Sequence, residues 1–205
     1  LGVVHVPFNE YIMSFSPITV NQVEYPPFTI SYNFAANRWK TYYSYIPEMM
    51  CGINTNIVTF VTGQLFLHTL SPNSRNVFYG AQYNLEVLIP VNAYPSSNKT
   101  FQSMSYEGSD YANFPVISTP VTAFNPSGQS SEILIQDIEF MNGSYWAPFL
   151  KNKITPNFDT EAEALIEGDE LQSQTMTMLL TATNNNLFWI KNVHVYFSAD
   201  QLTNT

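Results

Sequence analysis

Few side chains in this sequence could perform acid–base or nucleophilic chemistry, and their spacing matches no catalytic motif. A hydrolase needs a nucleophile with a base beside it. The chain has neither a G-x-S-x-G nor an H-E-x-x-H sequence, and its three histidines, His5, His68 and His194, are far apart. His68 ends a predicted strand and His194 lies opposite Val193 and Val195, so we interpret both as surface or interface histidines. The sequence therefore predicts no catalytic site and no enzyme.

Metal binding is the second chemistry that the residue types suggest. The acidic stretch 159–170 carries six carboxylates, the oxygen ligands that calcium prefers. An EF-hand loop needs a glycine at its sixth position, where counting from Asp159 gives Ala164 in a helix-favouring run. Cys51 is the only cysteine, which excludes an intrachain disulfide and a zinc ribbon and favours a small buried side chain. We therefore predict a solvated acidic helix, no metal site and no cofactor.

Sugar cleavage needs only two carboxylates that lie a few ångströms apart. Glu48, Glu107 and Asp110 have aromatic neighbours in the sequence that could hold a sugar ring. The sequence does not give the distance between these carboxylates, so polysaccharide cleavage stays open as a minor alternative.

Nucleic-acid binding is suggested by the segment 37–45, in which Arg38 and Lys40 alternate with aromatic residues suited to base stacking. The charge of the chain opposes it, because seven Lys and Arg face sixteen Asp and Glu, for a net charge of −9. Tight binding to phosphates needs many cations that release counterions. We expect the protein to bind duplex DNA only weakly.

The composition favours a protein that makes large apolar contacts. Charged residues are 11% of the chain, under half of the roughly 25% usual in soluble domains, whereas aromatic residues reach 15%. Such rings usually lie in cores, at subunit interfaces or on sugar-stacking platforms. No apolar run approaches the roughly 18 residues that cross a bilayer, so we predict no membrane-spanning segment. The candidate core or subunit-interface aromatics are Trp39, Tyr42, Tyr43, Tyr45, Trp146 and Trp189.

Strands must position these residues, since thirteen prolines leave little room for long helices. A period-two pattern over 83–89 predicts one strand. Tight-turn signals between β-rich runs predict hairpins. The three predicted hairpins are 56–61 with 64–68 around Thr62-Gly63, 133–140 with 144–146 around Asn142-Gly143, and 176–183 with 187–197 around Asn184-Asn185-Asn186.

One short helix is predicted over 159–167, with Asp159 as its cap and Gly168 as a left-handed stop. The fold class is therefore all-β, an antiparallel sandwich or a propeller-like β assembly with one short helix. Periodicity does not choose between these two architectures. We treat 1–205 as one all-β structural region and place a possible internal boundary at 116–130, where prolines and a glycine cluster.

Several segments, taken in order, resemble the tail muzzle (nozzle) proteins of crAss-like bacteriophages. The resemblance covers about residues 37 to 200, and its motifs are structural. The segments are Arg38-Trp-Lys-Thr-Tyr-Tyr-Ser-Tyr-Ile-Pro-Glu48, Phe60-Val-Thr-Gly-Gln-Leu-Phe-Leu-His68, Asn76-Val-Phe-Tyr-Gly80, Lys99-Thr-Phe-Gln-Ser-Met-Ser-Tyr-Glu-Gly108, Gly143-Ser-Tyr-Trp-Ala-Pro148 and Ile166-Glu-Gly-Asp-Glu-Leu-Gln-Ser-Gln-Thr-Met176.

The resemblance implies a structural virion protein at the distal end of a short tail, assembled in the cytoplasm of the bacterial host. Its partners would be other copies in a ring around the DNA channel, other tail proteins and, transiently, the phage genome as it exits. A glycan- or receptor-binding β module at the tail tip is the alternative, with Trp39, Trp146 and Trp189 as possible sugar platforms.

The first residues suggest where this chain lies in a longer polypeptide. Leu1 is not a methionine, and 3–12 already reads as strand and turn. We expect the chain to be the carboxy-terminal portion of a longer tail protein, with the upstream fragment as a further partner of strand 3–6.

Overall fold

Antiparallel strands carry the fold, as the proline spacing and turn signals predict. The computed structural model describes residues 1–68, 76–122, 127–154, 158–182 and 188–199. Strands account for 58% of the structure and helices for 7%, and the described residues form several antiparallel sheets without a closed barrel. The all-β prediction with one short helix is confirmed. The chain divides into two compact units, Leu1–Tyr83 and Asn84–Thr205.

The first unit is built from small sheets. Hydrogen bonds join its strands in the orders β1-β2-β5-β6, β3-β4, β7-β8-β9 and β10-β11. These strands are β1 (Gly2–His5), β2 (Glu10–Phe15), β3 (Ile18–Val20), β4 (Val23–Tyr25), β5 (Phe28–Asn33), β6 (Arg38–Tyr43), β7 (Met49–Ile53), β8 (Asn56–Val61), β9 (Gln64–His68), β10 (Val77–Phe78) and β11 (Ala81–Gln82).

Strands β3 and β4 continue the hairpin of β2 and β5 in the same register. Phe15 pairs with Phe28, and three residues further along Ile18 pairs with Tyr25. Between these pairs stand prolines, which have no N–H for the ladder and therefore interrupt it. The far end closes in a two-residue turn whose residues both have positive φ. We call residues 16–27 the arm.

The hairpin predicted around Thr62-Gly63 is confirmed. Strands β8 and β9 pair antiparallel, with Val61 opposite Gln64. Both turn residues have positive φ, 51° at Thr62 and 74° at Gly63, as the favoured two-residue hairpin turn requires. The core beside this sheet is small and consists of Val3, Ile12, Met50 and Ile57.

The second unit contains two larger sheets. Their orders are β12-β19-β14-β15 and β16-β17-β13-β18, with β20 also paired to β13. The strands are β12 (Leu85–Val91), β13 (Lys99–Gly108), β14 (Asn113–Thr119), β15 (Gln129–Ile133), β16 (Glu139–Met141), β17 (Ser144–Pro148), β18 (Gln172–Ser173), β19 (Met176–Ala182) and β20 (Ile190–Ala199), and the helix α1 is Glu161–Glu167.

One hydrophobic core lies between these two sheets, so the second unit is a β-sandwich. Strand β19 alternates strictly, and its inward residues Met176, Met178 and Leu180 are almost fully buried. Strand β13 contributes Phe101 and Tyr106 from the other sheet. Alternation with a period of two puts every second side chain of β19 into this core.

The hairpin turn at Asn142-Gly143 is confirmed, but the strand predicted over 133–140 is wrong, because a 3-10 helix over Ile135–Asp137 interrupts it and β16 begins only at Glu139. The third predicted hairpin is also wrong. Strands β16 and β17 pair around the first turn, where φ is 52° at Asn142 and 83° at Gly143. Strands β19 and β20 lie in different sheets, because β12 and β14 occupy both edges of β19. The predicted Asn184-Asn185-Asn186 turn lies outside the described residues. The chain therefore crosses from one sheet to the other between these two strands.

The predicted helix exists, but both of its end signals differ from the prediction. Thr160, not Asp159, is the cap, and its side chain accepts a hydrogen bond from the Glu163 amide. Gly168 has φ of −69°, so it is not a left-handed stop. A Cβ there would lie 2.4 Å from the Ala164 carbonyl oxygen and 2.7 Å from that of Asn152. Close backbone approach is the reason for this glycine.

The stretch 116–130, where the sequence suggests a boundary, lies inside the second unit. Strand β14 before it and strand β15 after it pair antiparallel, with Thr119 opposite Gln129. Residues 123–126 are outside the described part of the chain. The division between the two compact units falls between Tyr83 and Asn84.

Candidate functional site

The aromatic residues predicted in segment 38–45 divide between the interior and the surface of the first unit. Tyr45 is buried and Tyr43 is half-buried, as the core interpretation expects. Trp39 and Tyr42 are 56% and 71% exposed. The segment therefore supplies two aromatic residues to the interior and presents two to solvent or to a partner.

The inward pair belongs to an aromatic cluster that links β6 with β9 and β10. The Tyr45 ring lies 4.5 Å from His68, 5.0 Å from Phe78 and 5.2 Å from Tyr43, measured between centroids. His68, interpreted from the sequence as a surface or interface histidine, is half-buried, and its ring packs in this cluster. Burial lowers the pKa of His68 below its usual 6.5.

A hydrogen-bond chain within this cluster resembles a nucleophile with its base. Thr59 Oγ1 lies 2.7 Å from His68 Nε2, and the Tyr79 hydroxyl donates to Thr59 Oγ1 at 3.1 Å. Because Thr59 accepts from Tyr79, its own proton is directed to Nε2, which suits a neutral His68. Thr59 has no exposed surface, so no substrate reaches its hydroxyl. The chain of hydrogen bonds satisfies buried polar groups.

A buried carboxylate fixes the other inward tyrosine. Glu10 on β2 is 1% exposed and forms an ion pair with Lys40 on the edge strand β6, on the far side of β5. The Tyr43 hydroxyl donates to Glu10 Oε2 at 3.3 Å. Burial, together with the negative charge of Glu10, raises the pKa of Tyr43 to about 12. The geometry is that of a structural ion pair with a neutral tyrosine beside it.

Two of the three carboxylates considered for sugar cleavage, Glu107 and Asp110, have other partners. Glu107 forms an ion pair with Lys191, with 2.8 Å between Oε2 and Nζ, and the lysine lowers the pKa of this carboxyl. A general acid needs the opposite shift, since it must keep its proton near neutral pH. Asp110 Oδ1 accepts a hydrogen bond from the Tyr111 amide. Within the ranges described, no three His, Cys, Asp or Glu side chains are grouped so that they could hold a metal ion.

Most of the cations that nucleic acid would need are already paired. Five of the seven Lys and Arg side chains have acidic or carbonyl partners in the described residues, and Arg75 lies outside them. Lys99 is fully buried, and its Nζ donates to the Tyr94 and Ser97 carbonyl oxygens at 3.0 Å. The acidic partners are Glu10 for Lys40, Glu170 for Lys151, Glu132 and Glu161 for Lys153, and Glu107 for Lys191.

The two tryptophans of the second unit lie in different surroundings. Trp146 stacks on Tyr196 at 5.3 Å between ring centroids with 19° between the planes. Trp189 is an exposed residue whose amide donates to Ser109 Oγ at 3.0 Å. Trp146 is thus part of a surface aromatic pair, whereas Trp189 presents its ring on a fixed backbone.

The arm presents an apolar surface that sequence reasoning missed. Every residue from 16 to 27 is exposed, and Ile18, Val20, Val23 and Tyr25 are apolar. At its base, a cavity of about 420 Å³ is lined by apolar and aromatic side chains of the arm and of β5 and β6. The sequence does contain a signal for this hairpin, because two short apolar runs, 18–20 and 23–25, are joined by a turn and bounded by prolines.

The sheet β7-β8-β9 is apolar on both faces, which the sequence reading also missed. One face, with Met50, Ile57 and Thr59, is buried. The opposite face has the cross-strand rows Met49–Phe60–Leu65 and Cys51–Val58–Leu67. None of the three strands carries Asp, Glu, Lys or Arg. We call this second face the outer sheet face.

The outer sheet face is open on its two flanking strands and closed at its centre, where Val58 is 4% exposed. Leu65 and Leu67 are 60% and 53% exposed, and Met49 is also exposed. Cys51, which the sequence places in the interior, is only half-buried. Since strands of one-sided sheets alternate apolar and polar residues, a second apolar face in solvent is unusual.

Charge is distributed unequally between the two units. Residues 1–83 contain three acidic and three basic residues, so the first unit has no net charge. Residues 84–205 contain thirteen acidic and four basic residues and carry the whole −9. The exposed apolar surfaces of the arm and of the outer sheet face both belong to the neutral unit.

Comparison of the chain with known protein families finds no match, and comparison with curated proteins finds none. The described residues include no helix with the length and hydropathy of a membrane span.

Proposed function

We propose that this protein is a non-enzymatic structural subunit of a virion, part of the ring-shaped muzzle at the distal end of a short phage tail. In this role copies of the chain surround the DNA channel, close it and let the genome leave. The proposal is supported by the motifs in 38–48, 60–68, 99–108 and 143–148, because these motifs and their order along the chain resemble tail muzzle proteins of crAss-like phages.

The observation that carries the proposal is the neutral, apolar first unit. Large exposed apolar patches on soluble proteins mark interaction surfaces. Interfaces are enriched in aromatic residues and Met and depleted in Lys, Glu and Asp. The arm and the outer sheet face have this composition, with Glu24 as the single charged residue of the arm. A catalytic protein would instead need accessible polar groups converging on a cavity.

The charge of the second unit is consistent with a channel wall that DNA moves past without binding tightly. Its net charge of −9 opposes a phosphate backbone, and its lysines have acidic or carbonyl partners. A wall without free cation clusters offers no deep electrostatic wells to a moving duplex. Low affinity therefore suits a channel that must release the genome.

Assembly tests the proposal directly. Native mass spectrometry and negative-stain electron microscopy of the purified chain should reveal closed rings of one copy number. Peptide mass spectrometry of intact particles of the phage that encodes it should find this chain in the virion, enriched in a tail fraction. A chain that stays monomeric up to about 100 μM, far above the dissociation constants of stable assemblies, contradicts the proposal.

A glycan-binding module at the tail tip is the second candidate. The exposed ring of Trp189 and the Trp146–Tyr196 pair favour it, because sugar rings stack on aromatic faces. A glycan array probed with wild type and with Trp189→Ala separates the candidates. Binding that Trp189→Ala abolishes supports the receptor-binding role.

A further inference from the structure

We propose that neighbouring copies join through a heterologous contact in which the arm of one copy packs on the outer sheet face of the next. This inference rests on the proposed function, since it names the contact that would build the ring. A ring forms when two different surfaces of one chain fit each other and the rotation closes. The first unit carries two such surfaces.

The arm has the features of an element that is stabilised by a partner. Strands β3 and β4 pair only with each other among the described residues. A two-stranded hairpin alone in water is marginally stable at best. Four of the six strand residues are apolar, and all six are exposed. Covering these side chains removes apolar surface from water and holds the hairpin in place.

The outer sheet face has the features of a receiving surface. It is uncharged, and its exposed side chains Met49, Ile53, Leu65 and Leu67 lie on the two strands that flank the buried central strand. Leu and Met adapt to the shape of an incoming hairpin more easily than β-branched residues do. The alternating apolar side chains of the arm can therefore pack across the rows of this sheet.

The charge distribution points to a second copy as the occupant. Two second units, each with a charge of −9, repel each other, whereas the first units have no net charge. Copies therefore meet at lowest electrostatic cost through their first units. The four exposed side chains on each surface together correspond to roughly 800 Å² of apolar area, a core suited to an interface of about 1,200–2,000 Å².

Three variants of the full chain test the contact. The arm variant is Val20→Asp with Val23→Lys, and the face variant is Leu65→Asp with Leu67→Lys. The control is Ile166→Asp with Leu88→Lys, which changes two highly exposed residues of the second unit. Each pair leaves the net charge unchanged, so only the local surface differs. Sedimentation velocity and native mass spectrometry report the assembly state.

Wild type and the control are expected to form the same closed oligomer. The arm variant and the face variant are each expected to be monomers at concentrations where wild type is fully assembled. An equimolar mixture of the two is expected to form a heterodimer, because one intact arm still meets one intact face. This dimer cannot grow, since its remaining arm and remaining face are both altered.

Assembly of either variant alone into the wild-type oligomer overturns the inference and leaves the proposed ring intact. A mixture that stays monomeric also overturns it, because an intact arm and an intact outer sheet face are then present together and do not bind. A monomeric wild type contradicts the proposed function itself and with it the contact. Far-ultraviolet circular dichroism checks folding, and the uncharged variants Val20→Thr with Val23→Thr and Leu65→Gln with Leu67→Thr replace any double mutant that does not fold.

Discussion

At the scale of single residues, side chains that look catalytic serve to build the first unit. Thr59 and His68 lie at the distance of a nucleophile and its base, yet Thr59 has no exposed surface. Glu10 is a buried carboxylate beside Tyr43, whose pKa is raised. Its oxygens are already occupied by the ion pair with Lys40 and the hydrogen bond from the Tyr43 hydroxyl. Burial with complete pairing distinguishes such groups from an active site, which must expose at least one reactive atom.

The stability of the protein should depend on the protonation of His68. Burial lowers the pKa of the folded state, so the unfolded chain binds the proton more readily. The contribution of neutral His68 is therefore complete above about pH 6.5 and decreases as the pH falls below that value. Urea unfolding at pH 7.5 and pH 5.5 should show a larger loss of stability for wild type than for His68→Gln. An equal loss in both proteins contradicts this prediction.

Removal of the cation beside Glu10 should destabilise the first unit. Lys40→Met keeps the aliphatic stem but leaves a buried carboxylate without its ion-pair partner. We expect a loss of about 1–3 kcal/mol in the free energy of unfolding, because Lys40 is itself half-exposed. Arg38→Met, two residues away on the same strand, is the matched control and should change stability by less than about 0.5 kcal/mol. Chemical denaturation of both variants measures the difference.

At the scale of elements, prolines and glycines determine where strands stop and where they turn. The β2–β5 hairpin keeps its register across Pro17 and Pro26, and the ladder resumes as the arm. The β2–β5 ladder and the β3–β4 ladder share one register, and the prolines between them leave a gap in the hydrogen bonds. The arm is therefore a separate element that continues the same hairpin.

Gly168 should tolerate no side chain, although its backbone conformation is ordinary. In Gly168→Ala the new Cβ would meet the backbone oxygens of Ala164 and Asn152, which belong to two different segments. We expect a loss of about 2–3 kcal/mol or more from this overlap. Gly143→Ala is the control, since nothing lies within 4 Å of its Cβ and only its φ of 83° opposes the change, at about 1 kcal/mol. Thermal unfolding should rank Gly168→Ala as the more damaging variant.

At the scale of the whole molecule, the two units divide structure and charge between them. Among its described residues, the second unit has its own core of sixteen buried residues between two sheets, and it carries the net charge. A fragment of residues 84–205 should fold alone and remain monomeric, because both proposed contact surfaces are in the first unit. Circular dichroism and sedimentation velocity test this. A fragment that assembles like the full chain would place the contact in the second unit.

Weak binding to duplex DNA is expected for the whole protein. Five of seven cations have partners in the described residues, so few phosphates can be neutralised. Fluorescence anisotropy with a labelled duplex at physiological salt should give a dissociation constant of about 10 μM or weaker and a shallow salt slope. A submicromolar constant that weakens steeply with salt is the contrary result.

The sequence by itself determined the fold class, two of the three hairpins and the position of the helix. These features are local, because turn residues with positive φ and period-two alternation act within a few neighbours. Thus Thr62-Gly63 and Asn142-Gly143 lie at hairpin turns, as predicted. The helix begins one residue later than predicted, because Thr160 and not Asp159 is its N-cap. Composition likewise indicated a protein of apolar contacts, without indicating which rings are exposed.

Only the tertiary structure decided which strands pair across the chain and which apolar residues remain outside. Strands β19 and β20 look like a hairpin in sequence, but the partners of β19 come from residues 85–119 and exclude β20. Likewise Leu65 and Leu67 follow the pattern of a core strand, yet both are exposed, whereas Val58, opposite Leu67 on the same face, is buried. Long-range pairing and burial are properties of the assembled chain, since each strand edge and each face is filled by whichever distant segment packs there.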